Sequence, residues 1–185
     1  MRYSYGDLQA MSVDNIVFGF SRPITSYLPP PFFAWAIMLV DGSNFSHSYI
    51  RFHSDSYDRD LVYQASGLRV NFIGLPLFQS QEVIVKEFTI PVSEATKMKV
   101  VQFAIDNVGI PYSLGAALGI LAVKIAALAG RKIKNPISQQ GYFCSELAAI
   151  ILEDYLGADF TSDQVKCMTP TDVYNYLSQH PKLQS

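Results

Sequence analysis

The sequence predicts an α+β domain, and three observations carry that expectation. Short apolar segments with two-residue alternation cluster between residues 15 and 92. Helical spacing with capping signals dominates after Ser93. No internal repeat, low-complexity tract or linker interrupts the 185 residues, a length that suits a single domain over residues 1–185 with one core. At 49% hydrophobic and 16% charged the chain is more apolar than an average soluble protein, so part of its surface is expected to meet something greasy. A net charge of −2, a pI near 5.9 and the lack of a long basic stripe exclude nucleic acid as a main partner.

Asn15 to Phe20 reads as a first strand. Pro29-Pro30-Pro31 breaks the chain before the apolar run Phe32 to Val40, which suits either a strand or a short helix. Asp41-Gly42-Ser43-Asn44 is a turn signal, and Ser46 to Phe52 alternates as a strand with His47 at its start. Leu61 to Ala65 and Leu68 to Ile73 form two short strands joined at Ser66-Gly67, and Glu82 to Val92 is a longer one ended by Pro91 and Ser93. Ser93 then caps a helix carrying Val101, Ala104, Ile105 and Val108 on one side, with Gly109 and Pro111 as its stop.

The segment from Leu114 to Gly130 is nearly all apolar, with Lys124 at its centre and Arg131, Lys132 and Lys134 following at once. Its about 17 residues fall short of the roughly 20 that a membrane span needs. This insert, at about residues 113–134, is read as a buried or lid helix or as a helix lying on a membrane or a lipid substrate. Gly115 and Gly119 would permit close packing against it.

The next helix starts at a thiol. Cys144, Ala148, Ile151, Leu152 and Tyr155 recur at i, i+4, i+7, i+8 and i+11, one helical face ending at Gly157, so Cys144 is expected to point inward at the first turn. The free N–H groups and positive dipole end there favour an anion, which can depress a thiol's pKa and make it a nucleophile. Buried cysteines are more often inert small hydrophobes, and that alternative stands beside the first. Thr169-Pro170-Thr171-Asp172 opens a capped last helix, followed by a polar tail. Cys144 and Cys167 could form at most one bridge, and Met1 to Asp7 shows no secretory pattern; a reducing, cytoplasmic setting is the expectation.

A nucleophilic thiol needs a base within hydrogen-bond reach and a group that orients it. His180 lies in the terminal tail, and His53 stands roughly 20 Å along the strand from His47, so only one of that pair could meet Cys144. His47, flanked by Ser46 and Ser48 at a strand mouth, is the candidate base. Gln64, sharing a strand face with Val62, could accept the imidazole N–H without adding charge. The Cys144 backbone N–H is the natural first oxyanion donor; the second is not identified by the sequence. No metal-ligand spacing is present, and no cofactor is implied.

Phe45-Ser46-His47-Ser48-Tyr49-Ile50, then Val62-Tyr63-Gln64-Ala65, Gly109-Ile110-Pro111-Tyr112 and Phe143-Cys144-Ser145-Glu146-Leu147 appear in an order that resembles the circularly permuted papain-like cysteine hydrolases. These form the YiiX-like branch of the NlpC-type superfamily, related to the lecithin:retinol acyltransferase group. The likeness spans roughly residues 5 to 178, with Asp14 to Phe20 resembling the opening strand and Thr169 to Asp172 the Pro-containing helix start. It implies a small antiparallel sheet packed on helices, the nucleophile at a helix N-terminus and a Cys-His-polar triad of Cys144, His47 and Gln64. Two features depart from the pattern: the orienting residue of that branch is often Glu, and the apolar insert is longer and greasier. The resemblance implies a cysteine peptidase, amidase or acyltransferase working through an acyl-enzyme, on an amide or ester in a cell-wall peptide or a lipid. A module that keeps the fold only to bind a partner is the alternative.

Overall fold

The computed structural model describes residues 13–24, 32–54, 57–131 and 141–184; the Pro29-Pro30-Pro31 break, Lys132 and Lys134 lie outside them. Five strands, β1 (Val13–Pro23), β2 (His47–Ser54), β3 (Arg59–Ser66), β4 (Arg69–Gly74) and β5 (Glu82–Ser93), form one antiparallel sheet in the order β4-β3-β2-β1-β5. Around it lie α1 (Phe32–Asp41), α2 (Leu75–Gln81), α3 (Glu94–Asp106), α4 (Leu114–Leu128), α5 (Cys144–Leu156), α6 (Ser162–Val165) and α7 (Pro170–Gln179). The α+β expectation holds, and each expected strand is present, its ends within a few residues of those expected.

Strand alternation gives the sheet two different faces. Phe18, Phe20, Ile50 and Tyr63 join Leu147, Ile151 and Leu152 of α5 and Val173 and Leu177 of α7 in the main core. Residues of the opposite parity, Tyr49 and Val62, pack instead on Phe78 of α2. Helix α2 is not visible in the sequence: at seven residues it is too short to show a period, and Pro76 in its first turn reads equally as a turn.

Three expectations are corrected. Pro91 does not end its strand, because β5 is an edge strand and a proline there costs no ladder bond on its free side; pairing continues to Ser93. The buried stripe of α3 runs through Lys97, Val100 and Ala104, whereas Ile105 and Val108 are 54% and 49% exposed. Lys97 explains the rotation: its aliphatic stem lies on the buried side while its ammonium meets Asp14 at 2.6 Å, so a charged residue occupies a core position that apolar spacing alone misses. His180 does not sit in a loose tail; it caps α7, with Nδ1 bonded to the Tyr176 carbonyl at 2.7 Å and its ring stacked on Tyr176.

The open choice at residues 32–40 resolves to helix α1, whose Ile37 and Asp41, four residues apart, turn inward while Trp35 and Leu39 face outward. Ser93 caps α3 by accepting the Thr96 N–H at 3.1 Å, Gly157 ends α5 at φ +76°, and Thr169 and Asp172 close a capping box on α7.

One irregular segment does much of the assembly. Residues 109–112 run along the free edge of β4, where Val70 N–H bonds to Ile110 O and Tyr112 N–H to Leu68 O, both at 2.9 Å. On its other side the same segment pairs with the approach to α5: Tyr142 N–H bonds to Pro111 O at 3.2 Å and Ser113 N–H to Tyr142 O at 2.9 Å. Gly141 makes this possible, since its φ of +104° is left-handed and an added Cβ would collide with the Pro111 carbonyl. Gly141→Ala is expected to cost at least about 2 kcal/mol from backbone conformation and overpacking together, read from urea unfolding midpoints. A variant as stable as the parent would show that the close approach does not hold the segment.

Candidate active site

Helix α5 begins at Cys144, with extended Phe143 before it, so the thiol sits on the first helical residue among N–H groups that have no partner within the helix. It is 6% exposed. The neighbouring Ser145, fully buried, donates its hydroxyl to the Met168 carbonyl at 2.7 Å and ties this helix start to the residue before the Thr169 cap. The Cys-Ser and Thr-Pro-Thr-Asp stretches are therefore joined by one buried hydrogen bond.

His47 is the first residue of β2 and Gln64 lies near the end of β3. His47 Nε2 and Gln64 Oε1 are 2.8 Å apart, and Gln64 Nε2 reaches Asn71 Oδ1 at 3.4 Å, its partner across the β3–β4 register. Asn71 in turn donates to the Arg69 carbonyl at 3.1 Å. This chain fixes the amide: its nitrogen faces Asn71, so its oxygen, an acceptor only, faces the ring. Nε2 must then carry a hydrogen, which leaves Nδ1 as the nitrogen free to take a proton. Asn71 had no signal in the sequence; it becomes visible only through strand pairing.

The thiol and the imidazole line the same cleft, and each acts on the other's protonation. Burial opposes charge on Cys144, yet the hydrogen bond and charge of His47, with smaller help from Ser48, bring its pKa below the ordinary thiol value. Burial likewise opposes charge on His47, and the Cys144 sulfur, the Glu82 carboxylate and Gln64 together carry its pKa above the ordinary imidazole value. Opposite displacements of this kind favour thiolate and imidazolium side by side. The other two histidines are engaged elsewhere, His53 with Asp60 at 2.9 Å and His180 with Tyr176.

Two further residues of the site escaped the sequence reading. Tyr112 lies beside the sulfur, and burial, followed by the charge of Cys144, raises the pKa of its phenol. It was noted in the Gly-x-Pro-Tyr stretch without a role; only its pairing with Tyr142 brings it to the thiol. Glu82 opens β5 and accepts from the Ser21 hydroxyl at 3.0 Å. Burial raises its pKa, against the opposing influence of His47 and Ser21.

Cys144 has open space on two sides. A cleft of about 350 Å³ is lined by Ser46, His47, Ala65, Glu82, Tyr112 and Cys144, among others. A smaller cavity of about 30 Å³ lies under α1 and α4, between Ile37, Ile120, Phe143, Met168 and Pro170, and reaches Lys124. Lys124 accounts for the charge in the apolar run: its ammonium pairs with Asp41 of α1 at 3.1 Å and Asp172 of α7 at 3.2 Å and donates to Thr169 Oγ1 at 3.0 Å. Helix α4 is thereby fastened as a roof beside the thiol. Among the described residues no helix is long and apolar enough to cross a membrane, and no group of three or more His, Cys, Asp or Glu is placed to hold a metal ion.

No protein-family model matches the sequence, and no curated protein matches it either.

Glu146, in the first turn of α5, is 4% exposed, and burial raises its carboxyl to about 7 despite the Phe143 N–H and Lys166, which favour the charge. The unfolded carboxyl titrates near 4.5, so between roughly pH 4.5 and 7 the folded chain holds the extra proton and stability falls as pH rises. This group alone is expected to lower stability by about 3 kcal/mol across that window, with no further loss above it. Glu146→Gln keeps an acceptor for Phe143 and removes the titration. Urea unfolding at pH 5 and pH 8 should give the variant the flatter profile; an unchanged slope would assign the pH dependence elsewhere.

Proposed function

We propose that this chain is a cysteine hydrolase or acyl-transfer enzyme of permuted papain-like arrangement, acting on an amide or ester through Cys144, His47 and Gln64. The observation that carries the reading is the Nε2 to Gln64 bond, which leaves the other imidazole nitrogen for a thiol at a helix N-terminus. His47 Nδ1 takes the thiol proton, and the sulfur attacks the carbonyl carbon. The negative oxygen that forms is met by the Cys144 backbone N–H and, as the second donor, the Tyr112 hydroxyl. The tetrahedral intermediate collapses, the carbon–nitrogen or carbon–oxygen bond breaks, and His47 gives its proton to the leaving group. Water or another acceptor, deprotonated by His47, then attacks the acyl-enzyme and returns the thiol.

A lipid or membrane-associated substrate is favoured over a cell-wall peptide by the surface beside the roof. Trp35 and Leu39 of α1 are 59% and 73% exposed, and Leu118 and Ile125 of the adjacent α4 are 46% and 51% exposed. Each pair lies at helical spacing, and the sequence leaves α4 with Arg131, Lys132 and Lys134, charges that suit anionic headgroups. A binding module that keeps the fold without chemistry is the competing reading.

Iodoacetamide separates enzyme from module. At pH 6 a thiol whose pKa is lowered by a neighbouring imidazole is expected to react faster than an unfolded one, the gain in thiolate outweighing its lower nucleophilicity. Cys144→Ala should abolish that labelling, and His47→Ala should cost about 100-fold or more in acyl transfer. Labelling no faster than in urea, together with unchanged acyl transfer in Cys144→Ala, would sink the enzyme reading. For the membrane contact, phosphatidylserine-containing vesicles should co-sediment the parent chain, and replacing Trp35, Leu39, Leu118 and Ile125 by Ser should weaken binding at least about tenfold. Equal binding of the two proteins, or none by the parent, would remove the lipid argument.

A further inference from the structure

We propose that Glu82 is the anionic partner of the His47 imidazolium, a positioning residue that supplies from the edge strand the charge that the neutral Gln64 lacks. The proposal rests on the pairing of Cys144 with His47 described above. His47 stands directly opposite Ser21 across the β1–β2 register. On the other side of β1, the register with β5 slips by one residue between Phe20 and Ser21: Phe20 faces Lys86, but Ser21 faces Ile84 and Pro23 faces Glu82.

That slip has a consequence for side-chain direction. Directly opposed residues point to the same face of a sheet, and a shift of one residue exchanges the faces. Without the irregularity, Ile84 and Glu82 would continue the parity of Phe88 and fall on the main-core side. With it, Ile84 packs in the cluster of Tyr49, Val62 and Phe78, and Glu82 comes to the side of the sheet shared by Ser21, His47 and Gln64. A bulge that re-aims one side chain at a site is a recurrent use of such irregularities.

The surroundings fit the role. The Ser21 hydroxyl holds one oxygen of Glu82 at 3.0 Å, and Ser21 is itself the cross-strand neighbour of His47. Glu82 carries the only carboxylate among the described residues lining the cleft that His47 and Cys144 share. The charged groups that act on His47 are Cys144 from α5 and Glu82 from β5; Gln64 from β3 is neutral, as is Ser21, the cross-strand neighbour of His47 on β1. A half-buried carboxylate and a nearby imidazolium lower each other's cost of charge, so Glu82 stabilises the form of His47 that stands beside the thiolate and that protonates the leaving group.

The test needs no substrate. In the full chain labelled with ¹³C-histidine, the Cε1–H resonance of His47 is followed through a pH titration. The parent midpoint should lie above the ordinary imidazole value. Glu82→Gln retains an oxygen to accept from Ser21 and loses only the charge; its His47 midpoint should fall by about one pH unit, and iodoacetamide labelling of Cys144 at pH 6 should slow several-fold. Glu82→Asp should recover part of both effects, which a merely structural role would not give. If the parent midpoint is raised but Glu82→Gln leaves it within about 0.2 unit, Glu82 is not the partner while the thiol–imidazole pair stands. A parent midpoint at or below the ordinary value, with slow labelling, overturns the pair and this proposal together.

Discussion

A sulfur this deeply covered holds a negative charge only if something nearby offsets its lost hydration. Water does this for an exposed thiol; at Cys144 the offset comes from the imidazole of His47, with the Ser48 backbone and the free N–H groups at the start of α5. The constraint is geometric before it is electrostatic. A ring on the first residue of one strand and a thiol on the first residue of a helix almost a hundred positions later must be held together, each in one orientation.

The rest of the structure can be read as the means of holding them. Gln64 fixes the ring, Asn71 fixes Gln64, and the β3–β4 register fixes Asn71. On the helix side, Ser145 binds the Met168 carbonyl, and Tyr142 is stapled to Pro111 on the edge of β4. Helix α4 adds a third restraint, because Lys124 joins it to α1 and α7 through two carboxylates and a hydroxyl. The Ser145–Met168 tie is fully buried, so breaking it would leave its partners without water to replace it, whereas the Gln64 and Lys124 ties are part-buried.

Much of this was legible along the chain. Two-residue alternation marked the strands, Ser93, Gly157 and the Thr169 box marked helix ends, and a cysteine opening a helical stripe marked where an anion would be stabilised. Periodicity failed where its assumptions failed. Lys97 took a core position because Asp14 was there to meet its charge, so the stripe on α3 turned away from Ile105 and Val108. Helix α2 was too short to show a period, and Pro91 could stay in β5 because the strand is an edge. Residues 32–40 were apolar on both readings and needed the neighbouring α4 to choose.

The sequence alone determined most element types, the order of the thiol and imidazole segments, and the residue types able to perform proton transfer, since these depend on local propensity and side-chain chemistry. Only the tertiary structure decided which groups surround them. Asn71 and Tyr112 enter through strand pairing and the 109–112 segment, and Glu82 reaches the side of His47 through a one-residue slip between two strands. Register is a property of two chains of backbone hydrogen bonds meeting across space, and a single residue of offset reverses every side chain beyond it, so no reading along one segment can supply it.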